Sequence, residues 1–180
     1  MFKFLEKISS QNSILIIAFK GWSDAAEAAT SAVDTIIKNY DSKKFASFEE
    51  EEFFAFARER PNIKNSTNGR IIEWPHNDLY YIDDAISNTP LIILNGTEPH
   101  FKWKTFSKEV IDLCVSMNVS SVVTLGALLD SIPHTRGVKT QITGQHEFMP
   151  EEYTQKKISQ SKYEGPTGIT SVIIEDFKKI

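Results

Sequence analysis

Three short apolar runs, each followed by a loop carrying glycine, constrain this chain more than anything else in it. Ile14-Leu15-Ile16-Ile17-Ala18-Phe19 leads into Lys20-Gly21-Trp22-Ser23, and Leu91-Ile92-Ile93-Leu94 leads into Asn95-Gly96-Thr97-Glu98-Pro99-His100. Val122, Val123 and Leu125 form the third run, ending in Gly126. None alternates polar with apolar residues, so each reads as a strand buried on both faces. The crevice beyond the carboxyl ends of such strands is where open α/β sheets bind ligands, and parallel neighbours open their loops on one edge.

The segments between these runs read as helices packed on that sheet. Asp24-Ala25-Ala26-Glu27 has capping-box spacing and predicts a helix to about Tyr40, with Ala25, Ala29, Ala32, Val33, Ile36 and Ile37 on its inner side. Trp103, Phe106, Val110, Leu113 and Met117 recur at helical spacing and give the clearest helix. Ile169, Val172, Ile173 and Phe177 stripe a last one. Phe45 to Phe48 reads as a further strand, and Glu49 to Glu52 as the solvated first turn of a short helix through Phe53, Phe54 and Ala57. Asn62 to Gly69 is loop by composition. Ile71-Ile72-Glu73-Trp74 and Leu79-Tyr80-Tyr81-Ile82 flank Pro75-His76-Asn77-Asp78 as a hairpin, and Val138 to Thr143 reads as a late strand. The pattern predicts one α/β domain over residues 1–180.

Composition narrows the class. The chain has 180 residues, 41% hydrophobic and 24% charged, enough for a sizeable core, and its net charge of −4 offers no basic field for nucleic acid. The longest clean apolar run is far short of the ~20 residues needed to span a bilayer, so no membrane partner is expected. The lone Cys114 cannot form an internal disulfide, which fits a cytoplasmic protein.

The chemistry-bearing residues gather in the loops: Trp22, Asp24, Glu98, His100 and Gly126, and then Pro133-His134-Thr135-Arg136. Each has two readings. His134 suits a general base or a hydrogen-bonded structural ring. Arg136 suits a clamp on a carboxylate or phosphate, or an ion pair with Glu98 or Asp24. Glu98 suits an acid/base group or a loop anchor. Trp22 and Trp103 suit core or pocket walls. Asp24 starts a helix where an anion is welcome, although its own carboxylate fills that role. No phosphate loop, dinucleotide fingerprint or nucleophile elbow occurs, and the four histidines lack zinc-ligand spacing. The sequence therefore calls for no catalytic residue, no metal and no cofactor.

Together, Gly21-Trp22-Ser23-Asp24-Ala25, Gly96-Thr97-Glu98-Pro99-His100 with Trp103, Leu125-Gly126-Ala127, Pro133-His134-Thr135-Arg136 and Tyr163-Glu164-Gly165-Pro166-Thr167-Gly168 resemble the PAC2 family, named after a proteasome assembly chaperone. The resemblance implies a three-layer α/β/α fold with a mixed, mostly parallel sheet, like that of phosphorylases and peptidyl hydrolases. It also implies self-association, and a chain shortened at its C-terminal end relative to the family. Gly137 stands where members often have proline. The function it implies is a non-catalytic protein-binding or assembly module. The alternative is a small-molecule binder or enzyme, phosphorylase-like or hydrolase-like, or an ATP-dependent carboxylate–amine ligase, as some members are named.

Overall fold

The computed structural model describes residues 2–8, 10, 12–86, 89–137, 140 and 163–179. In chain order these form β1 (Phe2–Phe4), β2 (Ser13–Lys20), a 3-10 turn (Ala25–Glu27), α1 (Ala28–Asn39), β3 (Lys43–Phe48), α2 (Glu50–Phe53), β4 (Asn62–Ser66) and β5 (Gly69–Glu73). They continue with β6 (Asn77–Ile86), β7 (Thr89–Thr97), α3 (Trp103–Ser116), β8 (Val119–Thr124) and α4 (Ile169–Phe177). The expected strand at 138–143 lies outside the described residues. Two compact units emerge: residues 1–128 with 167–180, and residues 129–166.

In the first unit a six-stranded sheet runs β1-β3-β6-β7-β2-β8. The apolar runs become its parallel part, with β2 between β7 and β8; Ile16 lies beside Ile93 on one side and Val123 on the other. Strands alternate their side chains between faces, so a run without polar residues feeds two cores at once. Leu15, Ile17, Phe19, Ile92 and Leu94 join Phe106, Val110, Leu113, Ile169 and Ile173 of α3 and α4. Ala18, Leu91 and Ile93 join Ala29 and Val33 of α1 on the other face. Helices thus cover both faces, giving the expected α/β fold in three layers.

The balance of the sheet differs from expectation. Its pairings β1–β3, β3–β6 and β6–β7 are antiparallel, against two parallel ones, so it is mixed and mostly antiparallel. The reason lies in β6. Asn77 and Asp78 were expected in a turn, but Asp78 is buried, taking a hydrogen bond from Ser47 Oγ at 2.7 Å and pairing with Lys44 Nζ at 2.7 Å. Those partners come from β3, so the Asp78 carboxylate at the strand start is satisfied across the sheet. The hairpin forms one element earlier, where β4 pairs with β5 around Thr67-Asn68-Gly69, with Gly69 at φ +115°. A turn requiring positive φ sets this register; the loop-like composition of Asn62–Ser66 hides the strand.

Three smaller corrections have local causes. β8 is an edge strand, so Val123 is 43% exposed rather than buried on both faces. The α-helix starts at Ala28 and leaves Ala32 exposed, because Ala26 and Glu27 take left-handed φ of 54° and 57° in the preceding turn. α2 spans a single turn, since Phe54 returns to extended backbone.

Phe106 shows what holds the larger core. It is fully buried, stacked on Phe48 at 4.1 Å between centroids and edge-on to Phe53 and Phe19. Replacing Phe106 with Ala should cost about 3–5 kcal/mol, read as a lower urea midpoint. A loss under about 1 kcal/mol would show that these rings do not form one core.

Candidate functional site

The parallel order β7-β2-β8 carries the three glycine loops to one edge of the sheet, as the spacing of the apolar runs predicts. At Gly21 the chain turns out of β2 with φ +136°, and a Cβ there would lie 3.1 Å from that of Glu98. Only glycine combines that conformation with that approach. The Glu98 N–H donates to the Lys20 carbonyl at 2.9 Å, locking the two loops together.

The Glu98 side chain then does the larger job. Its Oε1 accepts the Ile169 N–H at 2.8 Å and its Oε2 accepts the Trp22 N–H at 3.4 Å. Ile169 opens α4, so this carboxylate from a distant loop satisfies one of the helix's orphan N–H groups and faces the positive end of its dipole. Gly168 permits the approach, because a Cβ there would meet Oε1 at 2.9 Å. Of the two readings of Glu98, the anchor is the one the geometry displays.

Asp24 is spent in a similar way. It is buried, and its carboxylate accepts the Ala29 N–H at 2.7 Å, the Thr30 N–H at 3.3 Å and the Thr30 hydroxyl. It therefore caps α1 over an irregular turn instead of through a capping box with Glu27. Asp24 and Ala127 also form a parallel bridge, and Ala127 N–H reaches the Ser23 carbonyl at 2.8 Å. Gly126 makes room for this; a Cβ would stand 3.3 Å from the Ser23 carbonyl oxygen.

His100 is held by its backbone and its ring. Its N–H and that of Phe101 both donate to the Phe53 carbonyl, at 2.8 and 3.1 Å, while Nδ1 accepts the Ala55 N–H at 3.3 Å. An acceptor Nδ1 puts the ring proton on Nε2. Trp103 donates its indole N–H to the Pro99 carbonyl. These bonds draw the segment after α2 against the β7 loop and bring Arg58 and Glu59 with it. The result is a hollow of about 280 Å³ between Lys20, Gly21, Arg58, Glu59, Thr97, Glu98, Pro99, His100 and Trp103.

Sequence reasoning missed Arg58 and Glu59, which directly follow the short helix expected through Ala57 and read only as its end. No local pattern connects residue 58 with residue 98; the link runs through backbone bonds to Phe53. Trp22, by contrast, is 64% exposed, a surface residue rather than core. His134, Thr135 and Arg136 belong to the second unit, where all three are exposed and the Arg136 N–H closes a turn onto the Pro133 carbonyl at 2.9 Å. In that unit Tyr163 also donates its hydroxyl to the Pro166 carbonyl at 3.1 Å. Cys114 is buried in the first unit, and burial pushes its thiol from 9.0 up to about 12, keeping it protonated and unreactive.

The sequence model of the PAC2 family matches residues 18–179. The chain belongs to the PAC2 family. A PAC2 family protein from Streptomyces avermitilis is 30% identical, with a TM-score of 0.78 over 93% of this chain and 70% of that one. A proteasome-assembly chaperone homologue from Mycobacterium tuberculosis is 29% identical, with a TM-score of 0.77 over 91% of this chain and 68% of its own. An archaeal proteasome activator from Pyrococcus furiosus shares the fold at 16% identity, with a TM-score of 0.71 over 99% of this chain and 75% of that one. Among curated proteins nothing matches. Among the described residues no helix is long and apolar enough to cross a membrane.

Removing the Glu98 carboxylate tests its anchoring role. Glu98→Ala should lower stability by about 2 kcal/mol, the upper range for a lost helix cap, and speed amide exchange at the start of α4. Glu98→Gln, which keeps the shape and one acceptor oxygen for the Ile169 N–H, should lose less. Unchanged exchange at residues 169–172 in the alanine variant would remove the carboxylate from this role.

Proposed function

We propose that this PAC2 protein is a non-catalytic protein-binding or assembly module of the cytoplasm, and that its strand-end edge is the binding surface. The observation that carries the reading is how the acidic side chains of that edge are used. Glu98 and Asp24 accept backbone N–H groups of α4 and α1, and so build a rigid platform. Trp22 stands on this platform with its ring largely in solvent, while its own N–H is tied to Glu98. A fixed, exposed tryptophan is the kind of residue that dominates binding energy at protein interfaces. The proteasome-assembly chaperone homologue among the relatives supports a protein as partner, and a second copy of this chain is the first partner to consider.

Sedimentation velocity over a range of concentrations tests this. Wild-type chain should associate, and Trp22→Ala should weaken association by about thirtyfold or more, equivalent to the ~2 kcal/mol of a hot-spot residue. The variant should melt close to wild type, because its ring contributes little to the core. A monomeric wild-type chain, together with turnover of a metabolite, would hand the case to the enzyme alternative.

A further inference from the structure

The hollow beside Glu98 contains donors that the fold leaves unused. Arg58 is exposed, and among the described residues its guanidinium has no hydrogen-bond or ion-pair partner. The Thr97 hydroxyl likewise has none among the described residues, and His100 keeps its Nε2–H because Nδ1 is taken by Ala55. Lys20 is shared between exposed Glu27 at 3.7 Å and half-buried Glu59 at 3.9 Å, both long contacts of little strength. Trp103 and Pro99 supply an apolar wall.

The acids of the lining limit what can enter. Glu98 and Glu59 balance Lys20 and Arg58 in formal charge, so the hollow offers no net positive field to a polyanion, and an acid is recognised through local bonds instead. The planar fork of Arg58 matches a carboxylate with two parallel bonds. A volume of about 280 Å³ falls just below the ~300–1,000 Å³ of sites for drug-sized molecules. From these donors, walls and size, we propose that the hollow binds a carboxylate on a ligand about as large as one amino-acid residue, gripped by Arg58 with its aliphatic part against Trp103 and Pro99. The inference goes beyond the protein-binding reading and does not require it, since the carboxylate could belong to a free small acid or to the last residue of a peptide.

An NMR titration of the full chain decides it. N-acetyl-leucine should shift the amides of Gly21, Glu98 and His100 and the indole of Trp103, while N-acetyl-leucinamide, lacking the charge, should not. Arg58→Gln should weaken the acid about tenfold or more, in line with a lost charge-assisted hydrogen bond, and Arg58→Lys should restore part of it. Arg58 is exposed, so both variants should keep the wild-type spectrum elsewhere. A tetrapeptide ending in a free leucine carboxylate separates the sources: its binding assigns the hollow to chain ends, and its failure beside a binding N-acetyl-leucine assigns it to small acids. Equal shifts from acid and amide, tighter binding of inorganic phosphate, or no shift from any probe would overturn the proposal. None of these results depends on whether Trp22 drives self-association.

Discussion

One carboxylate closes the first unit of this protein. Glu98 lies just past the last residue of β7, yet its oxygens reach the turn after β2 and the first residue of α4. A helix begins with N–H groups that nothing inside it can satisfy, and a half-buried start without partners is costly. Supplying the acceptor from another loop fixes where the helix begins and how it meets the sheet. The glycines at 21 and 168 follow from the same bond, since side chains there would fill the space the carboxylate occupies.

The rest of the edge extends this economy. Asp24 caps α1 as Glu98 caps α4, and the bridge from Asp24 to Ala127 ties the end of β8 to the turn after β2. Phe53 offers its carbonyl to two N–H groups of the β7 loop and its ring to Phe106, so one residue joins the edge to the core. The polar atoms of the edge mostly hold backbone in place, leaving Trp22 and the donors of the hollow facing outward.

Much of this was legible in the sequence. The three apolar runs identified the parallel strands, and the stripes of α3 and α4 identified the helices that cover one face, because both signals are local and periodic. Trp22, Asp24, Glu98 and Gly126 lie on the loops and turns that follow those strands. What escaped depends on distant partners. Asp78 looks like a turn residue until Lys44 and Ser47 meet it, β4 looks like a loop until β5 folds back on it, and Arg58 looks like a helix end until Phe53 binds His100. The excess of antiparallel pairing was hidden similarly, since hydrophobicity reports burial and not strand direction.

The position of β7, between an antiparallel and a parallel neighbour, has a kinetic consequence. Its pairing with β6 joins segments adjacent in the chain, so little entropy is lost in bringing them together. Its contact with the β2 turn through Glu98 and Trp22 spans 76 residues, and that with Ile169 spans 71. Non-local closures of this kind are made only after local ones have paid part of the cost. The β6–β7 hairpin is therefore the natural nucleus, and the Glu98 clasp a late event in folding. Substitutions at the clasp would then act mainly on unfolding, so the lifetime of the strand-end platform is set by the residue that also shapes it.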